Sequence, residues 1–215
     1  MKVKIKICGI NDEKSALASR DADYIGLVFF NKSPRYINSK LAKRIISRLK
    51  GGPQKVGLFV NQSIDSVGRI SKEVGLDIIQ LHGDEDVAYM SKLKKKVNKP
   101  LIKAVPIKTR EDINISQEFK NFCDMILFDT KSDKNLFGGT GLSFDWKLLN
   151  GFKSSKEWII AGGLNKSNIK KAIKITKAPI IDLSSGVEKK PGLKCENKIK
   201  EIIKYVKNLW VKKII

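Results

Sequence analysis

Eight short apolar runs, separated by polar loops and amphipathic stretches, constrain the fold of this chain more than any other feature. They span Val3 to Cys8, Tyr24 to Phe29, Lys55 to Val60, Ile78 to Leu81, Leu101 to Val105, Met125 to Phe128, Trp158 to Ala161 and Ile180 to Leu183. The runs are nearly continuous in Val, Ile, Leu and Phe instead of alternating, as expected of parallel strands covered on both faces. Between them, Leu41, Ala42, Ile45, Ile46 and Leu49 mark one helical face, and Ile64, Val67, Ile70 and Val74 another. Ile169, Ala172 and Ile173 continue the series, and Ile199, Ile202, Ile203, Val206 and Leu209 define a last helix.

Eight βα units predict a single-domain (β/α)8 TIM barrel over residues 1–215. Its loops must be lean, because such barrels typically need about 250 residues. A doubly wound open sheet is the alternative. Against it, the first run leads into Cys8-Gly9-Ile10-Asn11 with no G-x-G-x-x-G turn, and eight units make an open sheet unusually wide.

The formal net charge of +21 raises the question of nucleic acid. The lysines are spread over nearly every predicted helix. The tightest cluster, Lys92-Leu93-Lys94-Lys95-Lys96, has no interleaved aromatics on which bases could stack. A solvated basic surface is therefore expected, with no nucleic-acid partner, although such a field would speed capture of a small anion. No apolar run approaches the roughly 20 residues of a membrane helix, so no membrane partner is expected. The start, Met1-Lys2-Val3-Lys4-Ile5-Lys6, reads as a strand and not as an export signal. With three cysteines, Cys8, Cys123 and Cys195, and no C-x-x-C pair, the expected setting is cytoplasmic. The single histidine, His82, leaves no histidine-rich metal site.

A barrel of this kind collects the residues at its strand ends on one rim, where its chemistry is built. Two of those ends carry reactive side chains, Cys8 after the first run and Asp129 after the sixth. They belong to strands one and six and are expected to face each other across the mouth. Gly162-Gly163 after strand seven and Ser184-Ser185-Gly186 after strand eight predict a phosphate site, since small residues let backbone N–H groups converge on an anion. Gly138-Gly139-Thr140-Gly141 reads equally as a flexible loop or as a flap over the site.

Further motifs run in order along the chain: Lys6-Ile7-Cys8-Gly9, Ser33-Pro34-Arg35-Tyr36, Gly57-Leu58-Phe59-Val60-Asn61, Gln80-Leu81-His82-Gly83 and Phe128-Asp129-Thr130. Phe144-Asp145-Trp146, Gly162-Gly163-Leu164-Asn165, Asp182 to Glu188 and Pro191-Gly192 follow. Together the chain resembles the phosphoribosylanthranilate isomerase family of tryptophan biosynthesis. The resemblance implies a cofactor-free Amadori rearrangement of a phosphorylated sugar amine, with Asp129 as general acid and Cys8 as general base. It also implies that Arg35 binds the aromatic carboxylate of the substrate, which a planar guanidinium can grip bidentately. Gln80 and His82 are expected to hydrogen-bond substrate or catalytic groups. No metal or other cofactor is implied. A monomer is expected, with a homodimer as the alternative.

Neighbouring phosphate-binding barrels fit less well. The aminoaldose isomerase of histidine biosynthesis resembles a two-aspartate rim, whereas strand one here offers Cys8. Indole-glycerol-phosphate synthase uses lysine and glutamate, and strand two here has no charged residue before the Ser-Pro-Arg loop. Two departures from the family pattern stand out. Asp21 replaces a glycine, and an aspartate can occupy a left-handed helix end, though less comfortably than glycine, while Cys195 replaces an acidic helix-capping residue.

Overall fold

The computed structural model describes residues 2–49, 51–131 and 143–211. The glycine-rich segment Gly138 to Gly141 lies outside the described residues.

Eight parallel strands close into a barrel in chain order. They are β1 (Lys4–Cys8), β2 (Tyr24–Val28), β3 (Gln54–Phe59), β4 (Ile78–Leu81), β5 (Leu101–Ile107), β6 (Met125–Thr130), β7 (Trp158–Ile160) and β8 (Ile180–Leu183). Closure is made by β1 against β8, with Lys6 opposite Asp182. The expected (β/α)8 barrel is the observed fold. Strands β4 and β8 have their expected bounds. In contrast, β6 runs two residues further than expected, so Asp129 and Thr130 are still paired, to Pro106 and Ile107 of β5.

Side-chain alternation divides each strand between two cores. Ile5, Ile7, Ile79, Leu81, Phe128, Ile181 and Leu183 face outward into the layer beneath the helices. Val56, Ile78, Ile102, Leu127, Ile159 and Ile180 fill the barrel. Above them Cys8, Val28, Leu58 and Val60 form a small upper layer. By the same parity Lys6, Gln80, Asp129 and Asp182 point inward, which is how a barrel packed with aliphatics comes to hold polar groups near its mouth.

The helices are α1 (Glu13–Ala18), α2 (Ser39–Ser47), α3 (Ile64–Val74), α4 (Val87–Val97), α5 (Arg110–Phe119), α6 (Ile169–Thr176) and α7 (Glu196–Val211). Asp12, Asn38, Ser63 and Asp86 cap α1 to α4 by accepting a backbone N–H from the first turn. Between β6 and β7 the described residues carry the 3-10 helix Trp146–Leu149 in place of the regular α-helix that the repeat predicts.

One element was not foreseen. After β8 and a 3-10 turn at Ser185–Val187, β9 (Glu188–Lys190) and β10 (Leu193–Lys194) make a small antiparallel hairpin. Its residues, Glu-Lys-Lys and Leu-Lys, offer no apolar alternation from which to predict strands.

The two departures also resolve. Among the described residues the non-glycines at positive φ are Asn61, Asn98 and Lys177, so Asp21 is not left-handed and the glycine it replaces is not needed for backbone geometry there. Cys195 directly precedes α7; its N–H donates to Val187 O at 2.8 Å, and its carbonyl accepts from Ile199 N at 3.0 Å. The chain there is anchored through the backbone.

Candidate active site

The strand ends surround a cleft lined by Cys8, Arg35, His82, Asp129, Asp182 and Ser184, among others. Cys8 and Asp129 therefore open on the same space, as expected of their strand positions. Apolar walls from Val28, Phe30, Leu58, Val60, Ala161 and Leu164 complete it. A cleft that joins apolar walls to convergent polar groups suits a small organic anion.

Cys8 ends β1 with its side chain buried. Lys6, two residues earlier on the same face, places Nζ 2.8 Å from Asp182 Oδ2. Burial pushes the Cys8 thiol above its ordinary value, and the Lys6 ammonium and, more weakly, Lys194 pull it back toward thiolate. For Lys6 itself burial acts downward, but Asp182 and Cys8 outweigh it and hold the ammonium above its usual value. A permanent cation thus sits under the thiol.

Asp129 accepts Thr130 N on Oδ1 at 2.7 Å and faces His82 Nε2 through Oδ2 at 3.3 Å. The other ring nitrogen, Nδ1, lies 2.8 Å from Gln80 Nε2. An amide nitrogen only donates, so in this arrangement Nδ1 accepts and the ring proton sits on Nε2, directed at Asp129. Gln80 is fully buried and is not among the residues lining the cleft; its amide reaches the site through His82. Gln80 Oε1 has no hydrogen-bond partner among the described residues.

Arg35, in the loop after β2, is buried and forked onto Glu188 of β9. Nε meets Oε1 at 2.8 Å and Nη2 meets Oε2 at 2.8 Å. Glu188 Oε1 also accepts from Lys194 Nζ at 2.8 Å, and Lys194 continues to Ser184 O at 3.0 Å. Burial raises the Glu188 carboxyl, but Arg35 and Lys194 more than compensate and leave it below the usual carboxylate range. The Lys194 ammonium is lowered, chiefly by burial, despite Glu188. The unforeseen hairpin thereby links the Arg35 loop to the end of β8.

Gly162, Gly163, Ser184 and Ser185 line the cleft side by side from β7 and β8. Gly186 lies just behind them. A Cβ built on it would stand 2.0 Å from Leu164 O, so only glycine lets the two loops approach this closely.

Sequence reading missed Lys6, Asp182, Glu188 and Lys194. The first two carried a signal: Lys6 shares the strand parity of Cys8, and Asp182 interrupts an apolar run of opposite-face isoleucine and leucine. Glu188 and Lys194 carried none, since a hairpin of charged residues reads as loop.

Together these features define a (β/α)8 barrel of the enzyme class, with a thiol and a carboxylate at the mouth. Residues 5–205 match the model of the PRAI family, N-(5'phosphoribosyl)anthranilate (PRA) isomerase. The chain belongs to this family of isomerases of tryptophan biosynthesis. It is 40% identical over 207 residues to the N-(5'-phosphoribosyl)anthranilate isomerase of Paracoccus denitrificans, covering 94% of this chain and 96% of that one. The corresponding isomerase of Thermotoga neapolitana is 39% identical over 210 residues, covering 96% and 100%. Among solved structures, phosphoribosyl anthranilate isomerase from Thermotoga maritima superposes with a TM-score of 0.87 at 35% identity, covering 96% of this chain and all of that one.

Proposed function

We propose that the protein converts N-(5-phosphoribosyl)anthranilate into 1-(2-carboxyphenylamino)-1-deoxyribulose 5-phosphate by a cofactor-free Amadori rearrangement. The observation that carries this reading is the convergence of Cys8, Asp129, Arg35 and the Gly162–Gly163 and Ser184–Ser185 loops on one cleft. It is supported by a solved phosphoribosyl anthranilate isomerase, 34% identical with a TM-score of 0.84, that holds reduced 1-(o-carboxyphenylamino)-1-deoxyribulose 5-phosphate.

The phosphate is held by backbone N–H groups of Gly162, Gly163, Ser184 and Ser185, with Gly186 allowing their approach. Arg35 meets the aromatic carboxylate. Asp129 gives its proton to the furanose ring oxygen, the ring C–O bond breaks, and the nitrogen lone pair forms an iminium. The Cys8 thiolate then takes the proton from the second carbon; the electron pair moves toward the iminium, and the resulting enolamine tautomerises to the ketone. The iminium is the electron sink, so the chemistry requires no metal.

Because Asp129 Oδ1 accepts from Thr130 N, Oδ2 is the oxygen left to serve the proposed proton transfer. His82, held by Gln80 at Nδ1, keeps its Nε2–H directed at Asp129 and stabilises the carboxylate left once the proton has gone to the ring oxygen. Gln80 and His82 thus serve the acid, with His82 also lining the substrate space.

A coupled fluorescence assay following loss of phosphoribosylanthranilate tests the activity. Cys8→Ala and Asp129→Ala should each abolish turnover while retaining affinity for the reduced product analogue. Near-normal turnover in either variant removes that residue from its role.

The assembly proposed is a monomer in a cytoplasmic setting. The exposed large apolar residues Leu17, Tyr36, Ile115 and Leu193 are spread over α1, the loop after β2, α5 and β10. A solved Thermotoga maritima relative is described as dimeric, and light scattering on this chain decides between the two states.

A further inference from the structure

We propose that Glu85, held by Lys103, is a positioning residue that sets the placement of His82 against Asp129 and so the rate of the acid step. The proposal rests on the reading of Asp129 as the proton donor.

Neither Glu85 nor Lys103 is among the described residues that line the cleft. Lys103 lies on β5 between Ile102 and Ala104, which point into the barrel, so its own side chain leaves on the opposite, helix-covered side. There its ammonium stands 3.2 Å from Glu85 Oε2 and 5.5 Å from the centre of the Phe119 ring. Both side chains are almost fully buried.

A buried ion pair of this kind is poorly explained by stability. Apolar residues of similar volume in its place are often neutral or stabilising. What this pair does that apolar residues could not is hold backbone. Glu85 Oε1 accepts Asn61 N at 2.7 Å, and Oε2 accepts Gly83 N at 2.9 Å. Lys103 Nζ donates to Gly83 O at 2.5 Å, so Gly83 is gripped by both its N–H and its carbonyl.

These contacts pin two rim loops to each other. Asn61, which follows β3, is held at a φ of 50° and accepts Asp84 N on Oδ1 at 2.8 Å. A Cβ on Gly83 would come within 2.3 Å of that same Oδ1, so the residue after His82 has to be glycine for the loops to close. His82 N donates to Phe59 O at 2.9 Å. The backbone on both sides of the imidazole is therefore fixed from β3 and from the Glu85 carboxylate, while Gln80 fixes the ring. At 3.3 Å the His82–Asp129 contact is already long for a hydrogen bond, and a small shift of Gly83 would break it.

A double-mutant cycle separates positioning from general loosening. In the full-length protein Glu85→Gln should lower kcat about tenfold with KM held within about twofold, and in a His82→Ala background the same substitution should cost nothing further. If Glu85→Gln does not accumulate as folded protein, Glu85→Gln with Lys103→Met removes both buried charges and enters the same cycle. An unchanged kcat, the same loss in both backgrounds, or a His82→Ala protein with full kcat overturns the proposal. Asp129→Asn with near-normal turnover would instead remove the acid reading. An inactive Asp129→Asn beside a Glu85 effect independent of His82 removes the clamp alone.

Discussion

Lys6 Nζ lies 2.8 Å from Asp182 Oδ2 inside the barrel, directly below the thiol of Cys8 on the same face of β1. Asp182 lines the cleft where the proposed base stands, and Lys6 is buried beside it.

Loss of that cation should be visible in the pH profile. Burial raises the Cys8 thiol and Lys6 is the foremost group opposing it, so in Lys6→Met the thiolate should form at still higher pH. Because the reactive form is the thiolate, the rise of kcat/KM with pH should move to higher pH. The rate of iodoacetamide modification of Cys8 should move with it. A profile that stays in place shows that Lys6 does not act on the thiol.

The same substitution should weaken the fold. Lys6→Met leaves the Asp182 carboxylate buried without its partner, for an expected loss of about 3–5 kcal/mol in urea unfolding at neutral pH. Lys6→Met with Asp182→Leu should recover much of it, since neither charge then remains inside.

Glu188 organises Arg35, and Glu188→Gln should act mainly on substrate affinity. Releasing the guanidinium fork should raise KM for the aromatic carboxylate about tenfold with a smaller change in kcat. Steady-state kinetics on the variant give the split directly, and a loss confined to kcat would contradict it.

Acid should erase the stability difference between these two proteins. The folded-state pKa of Glu188 is depressed, so its contribution is fully present above the unfolded value of about 4.3 and is lost as pH falls through the folded value. The gap in urea midpoint between wild type and Glu188→Gln should therefore be widest near neutrality and shrink below about pH 4. A gap that is constant with pH would mean that the ionised form is not what stabilises the fold.

Gly186→Ala should damage the phosphate end of the cleft. The added methyl meets the Leu164 carbonyl at 2.0 Å, and backbone cannot yield as a flexible side chain would. Inhibition by inorganic phosphate should weaken together with a rise in KM if the proposed phosphate site is there, while the pH profile attributed to Cys8 stays in place.

The strands were legible in the sequence because strands buried on both faces are apolar at most positions, with inward exceptions such as Gln80. Runs such as Ile78 to Leu81 are bounded by the residues that end them. Cys8 and Asp129 were legible for a related reason, since a reactive side chain at the end of such a run has one rim to reach. Arg35 stood out by its motif, yet its attachment to Glu188 spans 153 residues and no local pattern encodes it. Asp129 was expected beyond its strand; the extra pairing of β6 with β5 became visible only when both strands were in place.

The sequence by itself determined the number and order of the βα units and placed Cys8, Asp129 and the glycine- and serine-rich loops at strand ends. These depend on side-chain type and local spacing; the proposed acid and base roles rest on the family resemblance. Only the tertiary structure decided which charges meet: Lys6 with Asp182, Glu188 with Arg35 and Lys194, Lys103 with Glu85, and His82 with Asp129. Ion pairs inside a closed barrel depend on strand register and on which face each residue presents, and both are settled when β1 closes on β8.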